Sequence, residues 1–398
     1  MGSKSILGAI CLLLFLASFA KATQVEGVFN VRRYGAKADG LSDISQAILS
    51  AWKEACASAT PSRLLIPKGT YATGPVKFQG PCKAPVGILV KGILKAPTDL
   101  NKFKSEDGWI VFQNIDRLTL SGGGIFDGQG ASAWAQNDCA KTGKCNSLPI
   151  NMRFNFITNS IVRDITSLNS KLFHINILGC KNLNLEHIII TAPENSLNTD
   201  GIHIGSSTGI NIIDSVIGTG DDCVSLGPGS HDITVTKVTC GPGHGISVGS
   251  LGKYPNEEDV VGITVRNCTL TNTMNGVRIK TWPASPTGIA TDMHFEDIIM
   301  NNVGNPVLLD QEYCPYNQCN LQIPSRIKIS KVSFKNIQGT SASQIAVKLV
   351  CSRDEPCQNV EVGDINLRYT GKEGPAKSQC ANVKPILSGK QNPPISFS

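Results

Sequence analysis

Four short polar motifs between residues 198 and 280 carry side chains that could do chemistry together. In chain order they are Asn198-Thr199-Asp200, Gly220-Asp221-Asp222, Gly243-His244-Gly245 and Arg278-Ile279-Lys280. They follow one another at about one repeat of the surrounding sequence. In a coiled solenoid such spacing would stack them on one face, with neighbours at the ~4.8 Å distance between strands. We therefore expect one composite site.

Three carboxylates, Asp200, Asp221 and Asp222, would repel one another in such a site. Crowding of this kind separates their pKa values, so one acid can stay protonated while its neighbours are charged. Glycoside hydrolysis uses that combination, because one acid protonates the leaving oxygen and one or two bases activate water. An Asp-Asp pair is also common in surface turns, so the pair alone does not decide between a catalytic site and an ordinary turn.

The remaining motifs supply cations and an imidazole. Arg278 and Lys280 are two positions apart, so on a strand both would point to the same face. They could form surface salt bridges or bind a carboxylate, which arginine grips through two parallel hydrogen bonds. His244 could be a solvated turn residue, or it could hydrogen-bond Asp221 from the next coil. Asn198 and Asp200 are also two positions apart, so on a strand they too would point to the same face.

An imperfect strand-like repeat dominates the chain and predicts an all-β fold. Apolar-x-apolar segments, punctuated by Gly, Asn and Asp, recur within the 20–50-residue period that is typical of solenoids. A parallel β-helix is favoured over a β-sandwich, whose hairpin signals are nearly missing. Apolar residues at helical spacing from Asp43 to Cys56 predict an N-terminal capping helix. Examples of the repeat are Leu183-Asn184-Leu185, Ile210-Asn211-Ile212, Ile233-Thr234-Val235 and Ile263-Thr264-Val265.

Residues 1–22 have the features of a secretory signal peptide that is cleaved after Ala22. The apolar run from Ile6 to Phe19 is shorter than the ~20 residues that span a bilayer. No linker divides residues 23–398, which we expect to be a single secreted domain that stays off the membrane. The formal net charge is +6, or +4 without Lys4 and Lys21. This mild excess excludes a nucleic-acid-binding charge pattern but suits association with a polyanion.

The chain has 14 cysteines, and Cys11 lies in the predicted signal peptide. The other 13 would meet an oxidising compartment, so disulfides are expected and at least one thiol is left over. The sequence contains no CxxC pair, so the cysteines give little indication of a metal site. Asn267 begins the only N-glycosylation sequon. Plausible pairs are Cys56–Cys82, Cys139–Cys145, Cys223–Cys240, Cys314–Cys319 and Cys351–Cys357.

Taken together, the four motifs resemble those of family 28 glycoside hydrolases, the polygalacturonases, and the resemblance covers essentially the whole chain after residue 22. It implies a right-handed parallel β-helix, no cofactor or metal, and inverting hydrolysis of α-1,4 galacturonosyl bonds in polygalacturonate. It also implies a disulfide between Cys223 and Cys240 beside the catalytic loop. The roles it implies are general acid for Asp221, water activation for Asp200 and Asp222, support of the acid for His244, carboxylate binding for Arg278 and Lys280, and sugar contact for Asn198.

Three further passages, residues 251–259, 281–283 and 307–315, look like those of plant exopolygalacturonases of the pollen type. The resemblance implies release of galacturonate from a chain end, with long loops closing one end of the groove. Tyr313, in the last passage, is then expected to contact substrate. The expected setting is the plant cell wall, and the expected state is a monomer that binds pectin. The alternatives are an endo-acting enzyme, a pectate lyase, a rhamnogalacturonan hydrolase and a non-catalytic pectin-binding wall protein.

Overall fold

The computed structural model describes residues 27–103, 108–137, 148–317 and 319–396. The predicted signal peptide and the predicted pair Cys139–Cys145 lie outside these ranges. No helix in the described ranges has both the length and the apolar character needed to cross a bilayer.

The described strands form a parallel β-helix, in which each coil pairs in parallel register with the coils before and after it. Inward side chains are apolar and outward ones are mostly polar, because side chains alternate along each strand. The face that matters for function is an eleven-stranded sheet. In spatial order its strands are Val76–Gln79, Gly108–Gln113, Ile150–Asn155, Ile175–Leu178, Ile202–Gly205, Val224–Leu226, Ile246–Leu251, Asn275–Thr281, Asn305–Asp310, Ile345–Val350 and Lys377–Ala381.

The other faces belong to a twenty-stranded sheet that has two lines of strands. One line contains Gly27–Asn30, Ser62–Ile66, Val86–Val90, Leu118–Ser121, Ser207–Ile213, Ser230–Thr236, Val260–Arg266 and Ile386–Asn392. The second contains Asp39–Asp43, Thr70–Ala72, Ile93–Lys95, Ile125–Asp127, Val216–Gly218, Thr239–Cys240 and Thr269–Thr271. Long strands run through both lines: Thr158–Leu168, Lys181–Thr191, Gly288–Val303, Ile327–Ser341 and Gln358–Tyr369.

The corner between these two lines explains the abundance of Asn and Asp in the repeat. Asp214, Asn267 and Asp297 occupy it in different coils, with φ of 47°, 54° and 56°. Short polar side chains tolerate this left-handed backbone better than bulky ones do. Asn267 is exposed on this corner. Its predicted glycosylation is therefore sterically accessible and remains a prediction.

A helix, α1 (Ser45–Ala57), covers the N-terminal end of the stack, as predicted. It begins two residues later than the sequence pattern indicated, because Asp43 ends the strand Asp39–Asp43 and its carboxylate accepts the backbone N–H of Ser45 at 2.8 Å. On its buried face, Trp52 packs edge-on against Phe78, with ring centroids 5.1 Å apart. Phe78 starts a stack of rings through successive coils, so α1 is joined directly to the core. Within the described ranges, the remaining helical segments are Ala131–Trp134 and the 3₁₀ turns Val31–Tyr34, Leu100–Phe103 and Pro315–Asn317.

Four of the five predicted disulfides are confirmed: Cys56–Cys82, Cys223–Cys240, Cys314–Cys319 and Cys351–Cys357. Three further cysteines, Cys180, Cys268 and Cys380, are buried thiols. Burial raises the pKa of each of these thiols to about 11, so they stay protonated in the folded chain.

Candidate active site

The predicted site residues come from five successive coils on the eleven-stranded sheet. Turns that lead into its strands carry Asp200, the Asp221–Asp222 pair and His244, whereas Arg278 and Lys280 lie within the strand Asn275–Thr281. The turns pack tightly on one another. At Gly220 a Cβ atom would lie only 2.0 Å from the carbonyl oxygen of Ser196, so only glycine allows this approach.

Asp222 is the most heavily bonded of the three carboxylates, and its side chain is only 3% exposed. Its Oδ1 accepts hydrogen bonds from Arg278 Nη2 at 2.7 Å and Ser247 Oγ at 2.9 Å. Its Oδ2 accepts one from Lys280 Nζ at 2.9 Å. Burial alone would raise the pKa of Asp222, but the two cations outweigh it and lower the pKa to about 2. Asp222 is therefore ionised at neutral and mildly acidic pH.

Asp200 has the opposite electrostatic environment. Burial raises its pKa well above the usual range, and the charges of Asp221 and Asp222 raise it further. A hydrogen bond from Ser225 Oγ to Asp200 Oδ2, 2.8 Å long, and the more distant charge of Lys280 oppose the shift only in part. The two flanking carboxylates thus differ sharply in proton affinity, as crowding predicted.

Asp221 is the most accessible carboxylate, with its side chain 21% exposed. Its Oδ1 lies 3.0 Å from His244 Nδ1, which confirms the predicted contact from the next coil. Asn198 Nδ2 donates to Asp221 Oδ2 at 3.4 Å. Asn198 and Asp200 do not share a strand face, so the spacing argument was wrong for this pair. They lie in a turn before Ile202–Gly205, and Asn198 has a φ of 55°.

A cavity of about 430 Å³ opens over this sheet. Of the predicted residues, Asn198, Asp200, Asp221, Asp222, Lys280 and Tyr313 line it. His244 and Arg278 contact the site through Asp221 and Asp222 instead. The Tyr313 ring centroid is 5.2 Å from Lys280 Nζ and 6.0 Å from Arg278 Cζ. Tyr313 therefore belongs to the cationic side of the cavity.

The passage predicted to be an insert, residues 251–259, forms part of the cavity wall. Lys253, Tyr254 and Glu257 line the cavity. The Glu257 carboxylate accepts backbone N–H groups of Gly252, Lys253 and Tyr254 at 2.6–3.0 Å and so holds the loop in shape. Lys253 Nζ lies 5.4 Å from the ring centroid of Trp282, in the second predicted passage. The two passages thus contact each other beside the site.

Sequence reasoning missed Phe173, His203 and Ser225, which also line the cavity. Their signal lay in the strand register. His203 pairs with Ser225, Ser225 with Ser247 and Ser247 with Arg278, so these polar residues form one outward row. Aligning the repeats strand by strand would have placed His203 beside the aspartates.

Asp221, Asp222 and His244 bring ligand atoms within 4.8 Å of one another, a spacing that could suit a metal ion. Both oxygens of Asp222 are already engaged by Arg278 and Lys280. These side chains neutralise the charge that a metal would otherwise balance, and we assign no metal site here.

Sequence comparison places the motifs in a known family. The family described as "Glycosyl hydrolases family 28" matches residues 56–391. The chain belongs to glycosyl hydrolases family 28. Among family 28 relatives, an exopolygalacturonase from Platanus acerifolia is 58% identical over 369 residues, which cover 92% of this chain and 97% of the relative. An exopolygalacturonase from Oenothera organensis is 60% identical over 354 residues, which cover 89% and 98%.

Among solved structures, the endo-xylogalacturonan hydrolase from Aspergillus tubingensis superposes on this family 28 chain with a TM-score of 0.78. The alignment covers 92% of this chain and all of that one, at 23% sequence identity. At this identity the likeness concerns the fold alone. It confirms the right-handed parallel β-helix that the resemblance implied.

Proposed function

We propose that this chain hydrolyses the α-1,4 galacturonosyl bonds of polygalacturonate from a chain end and releases galacturonate. The observation that carries the proposal is the convergence of Asp200, Asp221 and Asp222 with Lys280 on one cavity. Relatives named exopolygalacturonase, 58–60% identical over most of their length, support the substrate and the exo mode. The predicted signal peptide supports action outside the cell, on wall pectin.

Asp221 is proposed as the general acid, since it is the most exposed of the three carboxylates that line the cavity. Its contact with His244 Nδ1 orients the carboxyl group. Asn198, bonded to the other oxygen of Asp221, is placed to contact the same sugar. An accessible acid can deliver its proton to the glycosidic oxygen, and such proton transfer contributes ~10²–10⁴-fold to the rate.

Asp200 and Asp222 are proposed to hold and deprotonate the attacking water from the opposite side. The negative charge of Asp222 orients the water, and the raised pKa of Asp200 makes its ionised carboxylate the stronger base. Attack on the opposite face from the leaving group inverts the anomeric centre, and inverting enzymes keep acid and base roughly 6.5–9.5 Å apart so that water fits between them. The α-linked substrate would then yield the β-anomer first.

Lys280 is proposed to bind the galacturonate carboxylate, with Tyr313 packed beside it, and Arg278 to support this site by holding Asp222. One Lys280 N–H is used by Asp222, and an ammonium group has three donors, so the others can reach a substrate that enters the cavity. The wall formed by residues 251–259 and the aromatic pair Trp282–Tyr313 supports a pocket for a chain end.

The test is to follow reducing ends, viscosity and products together on polygalacturonate, with Asp221→Asn as the inactive control. We expect reducing ends and monogalacturonate to appear while viscosity falls slowly, and NMR to detect the β-anomer first. A steep early fall in viscosity would indicate an endo enzyme, and a new unsaturated-uronide absorbance would indicate a lyase. Cleavage restricted to rhamnogalacturonan would indicate the rhamnogalacturonan hydrolase, and binding without reducing ends a non-catalytic wall protein.

A further inference from the structure

His203 connects the cavity to Asp200 through one intervening hydroxyl. The histidine lies between the fully buried Ile202 and Ile204, so its ring points outward, over the cavity. Its Nδ1 lies 2.8 Å from Ser225 Oγ, which in turn donates to Asp200 Oδ2 at 2.8 Å. Phe173 packs against the ring at a centroid distance of 5.1 Å and limits its rotation.

The number of protons shared by His203, Ser225 and Asp200 determines which nitrogen of the histidine is protonated. Ser225 has one hydroxyl proton, and when Asp200 is ionised that proton points to the carboxylate. His203 Nδ1 must then carry a proton and donate it to Ser225 Oγ, which leaves Nε2 as a bare acceptor. When Asp200 is protonated the direction can reverse, and Nε2 becomes a donor. The hydrogen-bonding character of Nε2 therefore reports the protonation state of Asp200.

The Nε2 edge of the ring is open to a ligand. It lies over Gly227, where an added Cβ atom would come within 3.4 Å of Nε2, and both residues line the cavity. Burial lowers the pKa of His203 to about 4, so the ring is neutral under mildly acidic to neutral conditions. A sugar hydroxyl is a suitable donor to this bare nitrogen.

We propose that His203 is a positioning residue that accepts a substrate hydroxyl at Nε2 and, through Ser225, holds Asp200 in its ionised form. This rests on the proposed function, in which Asp200 is a base. We call the hydrogen-bonded chain His203–Ser225–Asp200 the relay. Burial and the charges of Asp221 and Asp222 favour protonated Asp200, whereas the relay and the charge of Lys280 favour its ionised form. Substrate that donates to Nε2 stabilises the tautomer that accompanies ionised Asp200, so binding prepares the base.

Two substitutions separate the two halves of the relay. Ser225→Ala removes the donor to Asp200, so the acidic limb of the kcat/KM–pH profile should move to higher pH. His203→Asn keeps an N–H where Nδ1 was but has no atom at Nε2. It should leave that limb in place and raise KM for oligogalacturonate by about tenfold, the equivalent of one lost hydrogen bond. His187→Asn, on an exposed corner of the twenty-stranded sheet, is the matched histidine control and should change neither quantity.

A second measurement determines the His203 tautomer directly and does not depend on substrate turnover. ¹⁵N NMR of histidine-labelled protein, with the His203 signal identified by its loss in His203→Asn, should show a protonated Nδ1 at neutral pH. A protonated Nε2 there, or an unmoved acidic limb in Ser225→Ala, overturns the proposal. Wild-type protein that releases no product would instead refute the proposed function, while the NMR tautomer still tests the relay.

Discussion

Asp222 and Asp200 illustrate how one cluster can contain a stabilising and a destabilising carboxylate. Asp222 receives three side-chain hydrogen bonds, two of them from cations. Asp200 receives one, from Ser225, and faces two like charges. Replacing each aspartate by the isosteric asparagine should therefore change stability in opposite directions.

We expect Asp222→Asn to lower the free energy of unfolding at neutral pH by about 3–5 kcal/mol, because it leaves buried cations without their anion. The folded pKa of about 2 lies below the usual 3.8, so this stabilisation is present above pH 3.8 and is lost as pH falls towards 2. Asp200→Asn should raise stability instead. The Asp200 pKa is raised, so its cost appears as pH rises above 3.8. Denaturant titrations from pH 3 to 7 measure both, and a common sign would contradict the assignment.

Asp221→Asn should lower kcat by ~10²–10⁴-fold and leave affinity for oligogalacturonate nearly unchanged, because an amide cannot donate the catalytic proton. The side chain is partly exposed, so stability should also change little. Calorimetric binding and turnover of the same preparation measure the two effects. A variant that kept more than about a tenth of the activity would remove Asp221 from the role of acid.

Lys280→Ala should raise KM for oligogalacturonate by about 10–100-fold, as expected for a lost charged hydrogen bond. It should also lower kcat, because Lys280 holds Asp222. Arg278→Ala should act more strongly on kcat than on KM, since Arg278 reaches Asp222 but does not line the cavity. Methyl-esterified oligogalacturonate is the control substrate. If Lys280→Ala weakened its binding as much as that of the acid form, carboxylate recognition by Lys280 would be wrong.

At the scale of elements, the sequence predicted the site where chemistry and spacing coincided. The Asp221–His244 contact follows from two motifs one coil apart, and α1 follows from helical spacing. His203 could not be found this way, because a lone histidine between two isoleucines has the pattern of any outward strand residue. The engagement of Arg278 and Lys280 with Asp222 was equally hidden, since it depends on how far turns and strands approach each other.

The turn that carries Asp221 and Asp222 continues directly into Cys223, which is bonded to Cys240 in the next coil. Replacing both cysteines by serine should lower the free energy of unfolding by about 3 kcal/mol, the value for a loop of about 15 residues, and should reduce kcat by loosening the turn. The control is Cys56→Ser with Cys82→Ser, which removes the bond between the last turn of α1 and Cys82. It should lose comparable stability and keep its kcat, and an equal loss of kcat in both would contradict a local role.

At the scale of the whole molecule, the site uses only a stretch of the stack, from the coil of Phe173 to that of Tyr313. Coils on both sides supply the shared core, in which rings such as Phe78, Phe112 and Phe154 stack 4.8–5.0 Å apart. Each coil depends on its neighbours for burial, so stability is distributed along the axis while chemistry is confined to its middle.

The buried thiols affect whether this protein can recover its native disulfides after it unfolds. In the folded chain Cys180 and Cys268 are buried and protonated, so they do not attack the four disulfides found among the described residues. Unfolding returns their pKa to about 8.5, so at alkaline pH they form thiolates that attack disulfides readily. One heating cycle at pH 8 should therefore scramble the cystines irreversibly, whereas a cycle at pH 5 should preserve them. Peptide mapping of the bonds detects this, and a Cys180→Ala, Cys268→Ala double variant should scramble less. Equal scrambling at both pH values would show that attack by these thiolates does not cause the loss of native disulfides.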